Sequence, residues 1–388
     1  MLDERYVLLG LRLGRLQDGL VDGFFGSEEL RARAESDEPA GPNELRAEAV
    51  ALEREIEASD LEPQRRRWLA AQVEALECVA ELLAGESVDW PSTVRRCYGI
   101  DVGFTPEEQF ERAHARLGAA LPGSGDLAER LERWSESQQV PPEKLLDAFA
   151  ALSRELREAT RILVDLPDGE EIEVELVSDE PWHAYNWYLG GRRSRIEVNT
   201  DLPIRAHRLA HLAAHEGYPG HHTEHACKEA RLVGELGRAE ASILLIHTPE
   251  CVVSEGLAEI ALEQALGESW PARVAELYRR LGIGFDPEGA GAVHAGTSAL
   301  ADVDVNVSYL ARERGLSTDE LIAYHRHWAL TTAERAAKRV AFATHSFWGA
   351  YTPTYSVGKR LAKRFADRRP ENLRRLLTEQ LTPRELAT

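Results

Sequence analysis

The sequence predicts a mainly α-helical protein with one small antiparallel β-sheet just before its most informative helix. Three observations carry this. Apolar residues recur at i, i+3, i+4 and i+7 through much of residues 1–165. Polar and apolar residues then alternate over Glu170-Glu171-Ile172-Glu173-Val174-Glu175-Leu176-Val177, the period of a half-buried strand. Helical signals resume from residue 203.

In order, the periodicity predicts helices over 5–20, 44–58, 66–85, 107–121 and 144–163. Asp37-Glu38-Pro39-Ala40-Gly41-Pro42-Asn43 breaks two of them. Thr105-Pro106-Glu107-Glu108 reads as an N-cap, a proline at the first helical position and a capping-box glutamate. His183–Leu189 and 195–199 are strand-compatible and flank a Gly190-Gly191 turn. A helix is expected over 205–217, interrupted at Pro219-Gly220, and another from Thr248-Pro249 to about Gly267. Ser317-Thr318-Asp319-Glu320 is a capping box. Residues 355–378 read as one amphipathic tail. The chain divides into a helical region, 1–165, and a region carrying the chemistry, 166–388, within one compact unit.

At 388 residues the chain can bury a large core, and 43% hydrophobic with 29% charged residues is ordinary for a globular enzyme. A net charge of −20 argues against nucleic acid and anionic membranes as partners, because both demand a positive footprint. The charged start lacks a secretory h-region, and no apolar run reaches membrane-spanning length. Four dispersed cysteines form neither a disulfide framework nor a C-x-x-C pair, so the expected compartment is a reducing cytoplasm. Only His114 precedes residue 180, whereas six histidines fall between His207 and His225.

That cluster contains His215-Glu216-Gly217-Tyr218-Pro219-Gly220-His221-His222. In the H-E-x-x-H zinc motif, two histidines one turn apart hold the ion and the glutamate is the general base. Here a straight helix would point His221 roughly 240° away from His215, and would place His222 roughly 10.5 Å along the axis. A bulge at Pro219-Gly220 resolves the mismatch: absorbing two residues delivers His221 to His215, and absorbing three delivers His222. Glu255, on the next helix, would complete an open His₂Glu site. Glu259, one turn later, can orient a ligand. Two other arrangements stay open. His211 and His215 form an i, i+4 pair that needs no bulge. Glu111-x-x-His114 and Glu180-x-x-His183 are a poorer match to a di-iron bundle.

HEGYPGHH, the later SEGLAEIALE, the strand Ile196-Glu197-Val198-Asn199-Thr200 and Tyr351-Thr352-Pro353-Thr354-Tyr355-Ser356-Val357-Gly358 together resemble the bacterial family called domain of unknown function 885. The resemblance covers about residues 180–365. It implies a large helical zincin-like fold and a zinc peptidase related to the gluzincins, whose third ligand is a glutamate on a following helix. Alignment on Gly220-His221 favours His221 over His222. The chain departs from the family at Gly217, Thr223-Glu224 and Leu257, which removes no chemical group but leaves substrate preference open.

The expectation is a metallopeptidase, possibly acting as a carboxypeptidase, with one Zn²⁺ per chain held by His215, His221 and Glu255. Glu216 serves as general base toward a metal-activated water. The resemblance points to Tyr355 as oxyanion donor, with His345 or His222 next. Asn199 is a candidate for binding the peptide backbone. A terminal carboxylate would need a cation, and Arg192, Arg193, Arg195, Lys359 and Arg360 are available. The alternatives are a metal-binding protein of the same fold without peptidase activity, or a metal hydrolase of another amide or ester.

Overall fold

A computed structural model describes residues 1–36, 38, 40–180 and 182–388. Asp37 and Pro39 of the expected interhelical loop, and Pro181 of the Glu180-x-x-His183 motif, lie outside the described residues. The protein is mainly α-helical with a small sheet, as the periodicity predicts. The expected helices correspond to Leu2–Gly14, Pro42–Glu57, Pro63–Leu83, Glu107–Ala120 and Leu145–Leu163. The first ends six residues earlier than expected. The helix at 107 lacks the expected threonine cap, because the Thr105 hydroxyl bonds Asp302 instead (3.2 Å). The Ser317 capping box is present.

The tail is two helices, Pro353–Arg368 and Pro370–Thr378. Arg369, which precedes a proline, is extended (φ −151°, ψ 140°), as the proline ring disfavours a helical residue before it. Among the described residues no helix is long and apolar enough to cross a membrane.

Among the described residues, five strands form two sheets. Strand β1 (Val21–Phe24) falls inside the region read as helical. It pairs antiparallel with β5 (Ile243–Leu245). Strands β2 (Glu171–Val177), β3 (Ala184–Gly190) and β4 (Arg193–Asn199) make the expected sheet in the order β2-β4-β3. The β3–β4 hairpin is antiparallel, turning at Gly190 and Gly191, both at positive φ. The second pairing corrects the expectation: β2 runs parallel to β4, on the edge that β3 leaves open. Alternation reveals which face of a strand is buried, but not which neighbour it pairs with.

The two largest cores draw on both sides of residue 165. One joins Phe110, Phe149 and Leu156 to Ile196, Leu209 and Tyr278. The other joins Tyr6, Leu52 and Trp68 to Ile243, Val252 and Tyr351. Helices Pro249–Leu266 and Pro353–Arg368 touch backbone to backbone. A Cβ on Gly256 would lie 2.4 Å from the Gly358 carbonyl oxygen, so only glycine permits this approach. The contact carries Tyr351 and Tyr355 to Glu255.

Candidate metal centre

The candidate site is built from one distorted helix and its neighbours. Ala206–Leu212 is α-helical, Ala213–Gly217 widens into a π-helix, and a new helix runs from His221 to Lys228. The Tyr218–Pro219 peptide between them is cis. Gly220 closes the break by donating its N–H to the Ala214 carbonyl (3.0 Å). A Cβ there would fall 1.9 Å from the His215 carbonyl oxygen, so the close approach admits glycine alone. The extra backbone is thereby absorbed, and the rings of His215 and His221 come within 4.8 Å of each other.

Glu255 faces both. Its Oε2 lies 3.5 Å from His215 Nε2, and its Oε1 lies 3.9 Å from His221 Nε2. Ligands about 2.0–2.2 Å from a tetrahedral ion sit roughly 3.3–3.6 Å apart, so these spacings are close to those of a shared metal. Ligand atoms of His215, Glu216 and His221 also lie within 4.8 Å of one another. Glu255 Oε2 and His215 Nδ1 are buried without a hydrogen-bond partner. Burial works against a charged His215, but the facing carboxylate of Glu255, with the charges of Glu216 and Glu259, outweighs it and raises its pKa to about 9. The surroundings thus favour a cation here, and the donor set of two imidazoles and a carboxylate suits zinc.

A buried chain of hydrogen bonds sets the His221 tautomer. Lys228 is held by Glu224 (2.7 Å) and by Glu250, which also accepts from Trp68 Nε1 (2.7 Å). Glu224 is buried, which raises its pKa, but the facing Lys228 outweighs this and keeps it ionised. The Ser254 hydroxyl donates its one proton to Glu224 (2.5 Å). Its oxygen can therefore only accept from His221 Nδ1, 3.1 Å away. Nδ1 carries a proton, which leaves Nε2 facing Glu255. Ser254 is adjacent to the expected ligand, and Glu224 with Lys228 forms an i, i+4 pair, so both signals were present in the sequence and went unread.

Around this centre lies a cavity of about 180 Å³. Glu216, Tyr351 and Tyr355 line it, and Tyr351 donates to Glu255 Oε1 (2.6 Å). Sequence reading singled out Tyr355, but Tyr351, one turn earlier, makes the direct contact. Burial holds both phenols protonated, well above the usual tyrosine range. Asp22, Tyr185 and Asn186 also line the cavity and were not foreseen. Asp22 sits on β1, in the half of the chain read as structural.

Several expected residues lie elsewhere. His222 is fully buried on the sheet side, with Nδ1 on Ser194 Oγ (2.9 Å) and Nε2 on Glu170 (3.1 Å). Both nitrogens are used, so it is neither a ligand nor an oxyanion donor. His345 is exposed, and its Nδ1 accepts the N–H groups of Phe347 and Trp348 (3.2 and 3.1 Å). Asn199 donates to the Glu180 and Trp182 carbonyls (2.7 and 2.9 Å), bracing a loop away from the cavity. His114 bonds the Trp328 carbonyl, and among the described residues no group placed to hold a metal contains Glu111, His114, Glu180 or His183.

The His211–His215 alternative does form a group with Glu259, their ligand atoms lying within 4.8 Å. Lys359 Nζ, however, stands 3.6 Å from the other Glu259 oxygen and already supplies a cation. Desolvation lowers the pKa of His211 to about 4, leaving it neutral. Glu259 Oε1 lies 3.7 Å from His215 Nδ1 and 3.6 Å from His211 Nε2, which suits an orienting role toward both rings. Of the other cations considered for a carboxylate, Arg360 pairs with Asp302 (2.8 Å) and Arg195 with Glu197 (3.3 Å). None of the five lines the cavity.

No family model matches the chain, and no curated protein does. Solved structures with a similar fold include a candidate lipoprotein from Colwellia psychrerythraea, 15% identical at a TM-score of 0.54. The match covers 88% of this chain and 65% of that one, so this chain spans less than two thirds of its length. A candidate lipoprotein of unknown function from Shewanella oneidensis is 13% identical at a TM-score of 0.52, with 89% and 72% covered. At such identities the likeness is one of fold.

Proposed function

We propose that this protein is a zinc-dependent metallopeptidase allied to the domain of unknown function 885 family. The observation that carries the reading is the convergence of His215 and His221 on Glu255, whose buried Oε2 has no hydrogen-bond partner. These three residues would hold one zinc ion per chain. Zinc bound there supplies Lewis-acid polarisation of a carbonyl and acidifies water. Glu216, beside both histidines, takes the proton of the attacking water and returns it to the leaving amine. The protonated phenol of Tyr355 supplies a donor toward the oxygen that becomes negative, while Tyr351 holds Glu255. Ser254 and Glu259 hold the two imidazoles in orientation.

The test is hydrolysis of a broad peptide library by zinc-loaded protein, alongside Glu216→Gln. The variant is expected to keep zinc and lose about 100-fold or more in kcat. Wild-type protein that binds zinc but cleaves no peptide would leave a metal-binding protein. Cleavage of other amides or esters alone would make it a different hydrolase.

A further inference from the structure

The cavity's charges do not balance, and the imbalance bears on the substrate. Six carboxylates line it: Asp22, Glu216, Glu224, Glu240, Glu250 and Glu255. Glu216 and Glu255 belong to the metal centre. Glu224 and Glu250 share Lys228, and Glu240 is held by Arg65 (2.7 and 2.8 Å). Asp22 has a phenol partner, Tyr185, but no cation within ion-pair distance among the described residues. It lies close enough to feel the charges of His221, Glu255 and Glu216. The one lysine in the lining is saturated by two carboxylates, and no arginine of the described residues lines the cavity, so it offers a substrate carboxylate no free lysine or arginine.

A second, independent feature points the same way. Asn186 is 8% exposed and lines the cavity. Its Nδ2 donates to the Glu216 carbonyl (2.6 Å), which fixes the amide's orientation. Its Oδ1 is buried with no donor. A buried acceptor without a donor is destabilising unless a ligand satisfies it. A carboxylate without a cation and an amide oxygen without a donor together call for a group that is both positive and rich in N–H. Phe25, Leu232, Ile243 and Leu245 supply apolar surface in the same cavity.

We infer that Asp22, assisted by the Oδ1 of Asn186, binds the free amino terminus of a peptide with an apolar first side chain. The inference rests on the metallopeptidase reading for its substrate class, and it sets the cut close to the amino end rather than the carboxyl end. Tyr185 is a positioning residue that holds Asp22.

The experiment measures binding by titration calorimetry with the full chain, without added zinc, using L-leucinamide, N-acetyl-L-leucinamide and N-acetyl-L-lysinamide. L-leucinamide is expected to bind about tenfold or more tighter than its acetylated form, the size of one charged hydrogen bond. Asp22→Asn should abolish that preference at an unchanged melting temperature. If this variant does not fold, Tyr185→Phe should weaken the preference, and the wild-type comparison stands alone. Equal binding of the two leucine probes, no binding of either, or a preference kept by Asp22→Asn overturns the inference. Lysinamide binding as tight as leucinamide would also overturn it, by assigning the site to side-chain amines. An intact amine preference with no peptide cleaved after zinc loading would remove the peptidase reading and leave the amine site standing.

Discussion

His221 and His222 are neighbours in sequence with opposite surroundings. His222 enters a closed cluster in which every group is satisfied. Ser194 and Glu170 take its two nitrogens, and Glu170 is itself held by Tyr218 and by Arg157 (2.7 Å). His221 enters an open cluster. Its Nδ1 is spent on Ser254, but its Nε2 faces a carboxylate too far away for a hydrogen bond. Both clusters are buried and rich in histidine and carboxylate. What separates the two clusters is saturation: one has no valence left for a ligand, while the other leaves Glu255 Oε2 and His221 Nε2 without hydrogen-bond partners.

The sharpest way to break this comparison is to exchange the two losses. His221→Ala should lower zinc affinity by more than the 10- to 100-fold typical of outer-shell changes, with little loss of stability in the zinc-free protein. His222→Ala should do the reverse, costing about 1–3 kcal/mol of stability by stranding Ser194 and Glu170 while leaving zinc affinity intact. Zinc titration and chemical denaturation of both variants check this. Zinc affinity that falls as far in His222→Ala as in His221→Ala would end the distinction.

A smaller effect is expected at Ser254. Ser254→Ala removes the acceptor that fixes the His221 tautomer, and should weaken zinc binding about 10-fold with the fold intact. Unchanged affinity would mean that the hydrogen-bond chain does not orient the ligand.

The smallest effect near neutrality comes from closed-off histidines remote from the cavity. Burial lowers the pKa of His247 to about 4 and of His207 to about 3, against about 6.5 in an unfolded chain. Above pH 6.5 both states are neutral and the stability is fully present. As pH falls from 6.5 toward 4, only the unfolded chain gains these protons, so stability is lost at up to about 1.4 kcal/mol per pH unit for each proton. Denaturation curves at pH 7, 6 and 5 measure the slope. A stability that stays flat across that window would show that neither histidine is held neutral.

Much of this molecule was legible in its sequence. Helical periodicity marked the main helices, because amphipathic faces repeat wherever a helix packs on a core. The spacing of His215, His221 and Glu255 demanded a distortion at 217–220, and a π-turn followed by the Gly220 break supplies it. Tyr355 was marked by family resemblance, and it lines the cavity. Beyond the local signals of Ser254 and of Glu224 with Lys228, the missed residues Asp22, Asn186 and Tyr351 have partners distant in sequence. Asp22 reaches the cavity because β1 pairs with β5, more than 200 residues away. Asn186 meets Glu216 across a sheet–helix contact, and Tyr351 meets Glu255 across two helices that touch through Gly256 and Gly358.

The sequence by itself determined the helical class and the need for a break in the His-Glu helix. Those follow from local geometry, which 3.6 residues per turn makes calculable. Only the tertiary structure decided which of two adjacent histidines is free, how β2 pairs, and which carboxylate lacks a counter-charge. These are questions of saturation, and saturation depends on every partner that folding brings into reach.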